Sequence, residues 1–184
     1  MRKNFGSKTW LYPMPVLLIA TYNEDGTPDL MNAAWGGIVD ENEIGICLSE
    51  THKTTENIVR NKAFTVSVAD ARHVVEADFV GIVSSKNDPE KFKKTGFTAE
   101  KSAFVDAPVI NELPMTLECS YIKTTKDGLV IGRIVNVSAD EEVLSDGKID
   151  PAKIRPITFD PVNSKYVELG SVVGNAFGDG KKLK

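Results

Sequence analysis

The chain is a succession of short apolar runs, most of them with a period of two. Residues 16–22 are rich in branched side chains and read as a strand, followed by Asn23-Glu24-Asp25-Gly26. Asp-Gly between apolar runs is a strong hairpin signal, because Asp and Gly tolerate the left-handed backbone that a tight turn needs. The return strand runs from Pro28 to Trp35. Ile44, Ile46 and Leu48 alternate with Gly45, Cys47 and Ser49, and residues 63–68 alternate again. Both stretches predict strands. Residues 116–124 and 129–137 flank Lys126-Asp127-Gly128 and predict a second hairpin. Turns at Asp146-Gly147 and Asp150-Pro151 lead to a last short strand near residues 166–169.

Helical spacing is confined to three short places. Thr54 with Asn57 three residues on marks a helix start, and residues 56–61 continue it. Val74, Val75, Phe79, Ile82 and Val83 share one helical face. Asp88 as N-cap, Pro89 in the first turn and Gly96 as the stop delimit a third helix. Many strands, two Asp-Gly hairpins and few helices predict a mainly β fold with short helices (α+β), arranged as a β-barrel. A Rossmann sheet needs long helices between its strands and an early G-x-G-x-x-G, and neither is present.

At 184 residues and 41% apolar, the chain is sized for one domain covering residues 1–184. The formal net charge of −4 argues against a nucleic-acid or anionic-membrane surface. Arg2 and Lys3 precede the apolar run 16–20, which is too short to span a bilayer and lacks a small-residue cleavage site. Neither a membrane segment nor a signal peptide is expected, so the cytoplasm is the expected compartment. Cys47 and Cys119 lie in apolar runs without metal-ligand or redox spacing and are expected to be buried free thiols. The two histidines, His52 and His73, have no companion ligand at metal spacing, so no zinc site is expected.

Three segments carry candidate chemistry. The loop from Ser49 to Thr55 offers the hydroxyls of Ser49, Thr51, Thr54 and Thr55, with His52 and Lys53, at a helix start. A phosphate monoester needs several donors and positive charge, and a helix N-terminus supplies both. A polar loop leading into a capped helix fits the same residues. The second segment runs Asp29, Leu30, Met31, Asn32, Ala33, Ala34, Trp35 and then two glycines. Small residues there let a flat ring approach the backbone, and Trp35 can pack on a ring or an interface. A strand end with a core tryptophan is the other reading. The third segment, Ser84, Ser85, Lys91 and Phe92, is either a donor set or a solvated loop and helix with Phe92 as its core anchor. No nucleophile set and no acid–base pair of carboxylates stands out.

In their order and spacing these pieces resemble the flavin reductase-like family of FMN-binding split barrels, and within it the flavoredoxins. The resemblance is carried by Pro13-Met14-Pro15, Asp25-Gly26-Thr27-Pro28, residues 31–35, Lys53-Thr54-Thr55-Glu56-Asn57-Ile58 and Lys91-Phe92-Lys93-Lys94-Thr95-Gly96. Gly132-Arg133-Ile134-Val135, Asp146-Gly147-Lys148-Ile149-Asp150 and Gly174-Asn175-Ala176-Phe177-Gly178 extend it. It implies a Greek-key split barrel and a homodimer with FMN near the interface. It further implies that residues 31–35 line the isoalloxazine. Ser49 and residues 51–55 then hold the ribityl chain and phosphate, with Asn57 nearby, while Ser84, Ser85, Lys91 and Phe92 complete the pocket. Relatives often carry asparagine where this chain has Asp29, and many carry a histidine in the turn that here reads Lys126-Asp127-Gly128. The implied activity is an electron-passing flavoprotein supplied by NAD(P)H or a small redox protein. An NAD(P)H:flavin oxidoreductase that releases its FMN, and a non-catalytic ligand-binding barrel, are the alternatives.

Overall fold

Branched and aromatic side chains build the strands largely where the alternation predicts them. In this computed structural model, which describes residues 1–184, β1 is Met14–Pro15 and β2 is Leu17–Tyr22. The Asp25-Gly26 turn, with Gly26 at φ +82°, returns the chain as β3, Pro28–Ala33. Next come β4, Gly36–Asp40, and β5, Glu43–Cys47. They are followed by α1, Lys53–Asn61, β6, Ala63–Val68, α2, Val74–Ile82, and α3, Lys91–Lys94. The second half contains β7, Ala99–Lys101, β8, Pro108–Ile110, β9, Met115–Thr124, and β10, Leu129–Ala139. It ends with β11, Leu144–Ser145, β12, Lys148–Ile149, α4, Pro151–Ile154, β13, Ile157–Asp160, and β14, Lys165–Glu168.

Seven antiparallel strands form one curled sheet in the order β3-β2-β6-β9-β10-β5-β4. A smaller sheet, β1-β13-β14, packs beside it. The fold is mainly β with short helices, a half-barrel of the split-barrel type. β2 sits inside the large sheet and is buried on both faces. Its Leu17 and Ile19 join a cluster with Ile46, Phe64 and Val66. Leu18 and Ala20 join another with Leu30, Ala77 and Val80. That double burial is why residues 16–20 form an unbroken apolar run rather than an alternating one. β3 is an edge strand, and α1, α2 and α3 all pack against it.

Several expectations change. Trp35 is 54% exposed, which removes the alternative reading of it as a core tryptophan. Cys47 is also exposed, because it faces outward from β5; only Cys119 is buried. α1 begins at Lys53, and Thr54 lies inside its first turn rather than capping it. α2 lies where its spacing predicts, but it buries Ala77 and Val80 while Val75 and Ile82 stay exposed. Asp88 accepts from the Glu90 N–H at 3.2 Å, yet helical hydrogen bonding starts only at Lys91. Asp150-Pro151 opens α4, with Asp150 accepting from Ala152 N–H at 2.9 Å. The strands β4, β7, β8 and β13 carry little periodicity: β4 opens with two glycines, and the other three are at most four residues long.

Two outcomes test this packing. A Cβ placed on Gly132 would lie 2.3 Å from Cζ of the fully buried Phe64. Gly132→Ala should therefore destabilise the fold by about 1–3 kcal/mol, as overpacking does, read from denaturant unfolding. The second concerns Asp160, which accepts from the Tyr12 hydroxyl and from Asn163 Nδ2 at 2.7 Å. These bonds, Tyr12's first, hold its carboxyl down to about 2. A depressed carboxylate contributes stability above its unfolded value, near 4, and loses it as pH falls towards 2. Tyr12→Phe should move the Asp160 titration, followed by carboxyl NMR, upward from about 2.

Candidate functional site

The edge strand β3 and the starts and ends of three helices converge on one cavity. Its volume is about 190 Å³. β3 contributes Met31 and Asn32, α1 contributes Lys53 and Thr54 with His52 ahead of them, and α3 contributes Lys91. The end of α2 and the loop after it, residues 80–85, close the opposite wall with Ser84 and Ser85. Two further cavities follow the same strand outward. One of about 250 Å³ shares Asn32, Gly81 and Ile82 with the first and adds Ala33, Ala34, Asp78 and Tyr166. The other, about 440 Å³, is lined by Ala34, Trp35 and the N-terminal segment around Trp10. Residues 31–35 thus run along a trough rather than bordering a single hole.

The first cavity gathers unpaired donors and positive charge. His52 precedes α1 with extended backbone and no side-chain cap. The N–H groups of Lys53, Thr54 and Thr55 consequently have no acceptor in the chain; the first paired one is Glu56, bonded to His52 O at 3.1 Å. Unpaired first-turn donors carry the positive end of the helix dipole. Lys91 is only 3% exposed, and its ammonium makes no ion pair or hydrogen bond within the chain. Burial lowers its pKa, and the negative charge of Asp29 opposes that shift. An ammonium that is largely withdrawn from water and opens only onto a cavity gains from a partner of opposite charge there. Lys53, half-buried on the neighbouring wall, adds charge of the same sign.

Asp29 lies behind this wall rather than in it. It is 1% exposed, accepts from Thr54 Oγ1 at 2.5 Å and is bonded by the Ser85 hydroxyl. The carboxylate ties α1 and the 84–85 loop to β3 while supplying Lys91's only nearby countercharge. Asn57 is buried below α1, donating to Thr21 Oγ1 at 3.2 Å and Asn23 Oδ1 at 2.9 Å, and so anchors the helix to the first hairpin. Thr55 Oγ1 is buried without a partner.

Of the residues singled out in the sequence, Met31, Asn32, His52, Lys53, Thr54, Ser84, Ser85 and Lys91 meet in the first cavity. Ala33, Ala34 and Trp35 border the outer two. Ser49 and Thr51 bond each other at 2.8 Å on an exposed loop outside it. Phe92 packs against the core, which matches its reading as a core anchor. The sequence did not reveal Val80, Gly81, Asp78, Phe159 or Tyr166. Gly81 carried a usable signal, a glycine inside a helical pattern. Its Cβ would lie 3.2 Å from Asn32 Cβ, so the glycine lets α2 approach β3 closely.

Comparison with known proteins agrees with this architecture. Residues 9–159 match the family model described as the flavin reductase like domain. The flavoredoxin of Desulfovibrio vulgaris (Miyazaki F) superposes with a TM-score of 0.94 and 36% identity, covering 98% of this chain and 100% of that one. A flavoredoxin from Methanosarcina acetivorans superposes at 0.90 with 27% identity over 100% of both chains. An FMN-binding domain of a flavin reductase-like enzyme from Shewanella baltica gives 0.78 at 22% identity over 88% of each, which bears on the fold alone.

The charge arrangement behind the wall is directly testable. Because Asp29 raises the Lys91 pKa against burial, Asp29→Asn should lower it further. The lysine side-chain NMR titration of Lys91 should shift to lower pH in that variant, and an unmoved titration contradicts the pairing.

Proposed function

The chain belongs to the flavin reductase-like family, and from that premise we propose that it is a flavoprotein that holds FMN and passes electrons through it. The observation that carries this reading is Lys91, a buried residue whose unbonded ammonium lines the cavity beside the uncapped start of α1. Phosphate monoesters suit that donor set, since several N–H groups and a buried cation converge on one small cavity. The residues present fit the group. Lys91, Lys53 and the first-turn N–H groups would hold the phosphate, Ser84 and Ser85 would flank it, and residues 31–35 would line the isoalloxazine. β3 is an edge strand, so part of its backbone N–H groups face away from the ladder and can bond the ring's polar edge.

Bound FMN supplies the electron-accepting chemistry; the chain supplies position and electrostatics. Ala33 and Ala34 allow close approach to the backbone. Asp29 opposes the fall that burial imposes on the Lys91 pKa while remaining outside the wall, where it is bonded by Thr54 and Ser85. No side-chain nucleophile is required. The same proposal includes one domain over residues 1–184, a homodimer with the flavin near the interface, and a cytoplasmic setting in keeping with the two free thiols. The electron donor is NAD(P)H or a small redox protein. A reductase that releases its FMN is a second reading, favoured by the match to the flavin reductase like domain.

The purified protein should be yellow, or become so with added FMN, and should stay yellow through dialysis; loss of colour with flavin-dependent NADH consumption selects the second reading. A protein that takes up no FMN contradicts both. Lys91→Met removes a charge-assisted contact worth roughly 1.5–3 kcal/mol. It should weaken FMN binding about 10–100-fold with the far-ultraviolet dichroism unchanged, read by flavin-fluorescence titration. Lys53→Ala should act in the same direction and less, its side chain being less buried.

A further inference from the structure

The last fifteen residues form an arm whose hydrogen bonds all close within the arm itself. Asn175 N–H donates to Asp179 Oδ2 at 2.8 Å, and Asp179 N–H donates back to Asn175 O at 3.1 Å. Yet Val172, Val173, Phe177 and Leu183 are 86–99% exposed. Fixing a backbone while leaving its apolar side chains in water is doubly unfavourable, so such a segment has a surface to lie on. Its own chain does not provide that surface.

A matching surface is exposed elsewhere. β4 is an edge strand, so it has an unpaired backbone face, and Ile38 and Val39 on its opposite sides are 65% and 50% exposed. Immediately before it, Trp35 borders the apolar cavity of about 440 Å³ that Trp10 also lines. β4 ends in Asp40, and Glu41 follows it, both exposed and without an ion-pair partner. The arm carries the same order of chemistry, apolar Val172, Val173 and Phe177 followed by Lys181, Lys182 and Lys184. Apolar meets apolar and basic meets acidic.

We propose that the arm of residues 170–184 docks on a second copy of this chain, along its β4, with Phe177 on the Trp10 side of the adjoining cavity and the Trp35 side left to the flavin. The proposal rests on the dimer reading given above and specifies the segment that holds the dimer. Exchange is two-way, so each copy covers the other's β4 edge, which otherwise invites uncontrolled pairing. A buried phenylalanine contributes 150–250 Å². Two arms with four apolar side chains each, plus the faces beneath them, reach the roughly 1,600 Å² that specific interfaces bury.

The test is sedimentation of the full chain over a concentration series with FMN held constant, beside Phe177→Asp and a chain ending at Gly170. Phe177 makes no contact within its own chain, so the thermal midpoint of the dissociated form should not change. The full chain should be dimeric, and both variants should raise the dimer dissociation constant at least tenfold. Ile38→Asp should do the same, and its combination with Phe177→Asp should cost less than the two losses added. Amide exchange in β4 should be slow in the full-chain dimer and fast in Phe177→Asp. Dimers of equal strength in all variants, or fast β4 exchange in the dimer, overturn the arm's role and leave the dimer standing. A full chain that stays monomeric overturns both.

Discussion

The arrangement of the site depends on one buried pair of opposite charges, Asp29 on β3 and Lys91 on α3. Neither is stable alone in the interior. Asp29 gathers the Thr54 and Ser85 hydroxyls and thereby fixes the start of α1 and the loop after α2 against the same strand. Burial lowers the Lys91 pKa and the nearby Asp29 opposes that shift, yet no hydrogen bond joins the two and the ammonium lines the cavity. A neutral residue at either position would loosen the wall or empty the cavity of its charge. This chain thus places a negative charge one layer behind its cation.

That local arrangement is possible because of how the sheet is covered. β2 is buried on both faces, which lets β3 be an edge strand with one side in the core and the other available. Three short helices pack on that edge instead of a further strand. Gly81 brings α2 against Asn32, and Asn57 ties α1 to the first hairpin. Short helices suit this role, because each presents an end rather than a flank to the site, and ends carry unpaired backbone donors. The fold therefore supplies electrostatics chiefly from backbone and from one lysine, in keeping with a protein that leaves the redox chemistry to a cofactor.

Much of this was legible in the sequence, for identifiable reasons. Strands with strong alternation or double burial, such as β2, β6 and β9, declared themselves, as did both Asp-Gly hairpins. β4 did not, since two glycines and exposure on both faces erase its pattern, and β13 is too short to show one. Cys47 was placed by residue type, as a buried thiol, and type fails at an outward-facing position. The loop 49–55 and residues 29–35 were recognisable by donor content. Lys91 was not separable from its neighbours Lys93 and Lys94 by composition; only the packing of α3 on β3 buries one of the three. Phe159, Asp78 and Tyr166 reach the trough from distant segments, and no local spacing announces such convergence.

The central claim is that the cavity at Lys91 and the start of α1 recognises a phosphate attached to a flavin. Comparing FMN with riboflavin, which has the same ring and ribityl chain but no phosphate, isolates that contact. Calorimetric titration of the apoprotein should show FMN binding at least tenfold tighter than riboflavin, with the advantage falling as salt rises. Riboflavin binding as tightly as FMN would contradict the account.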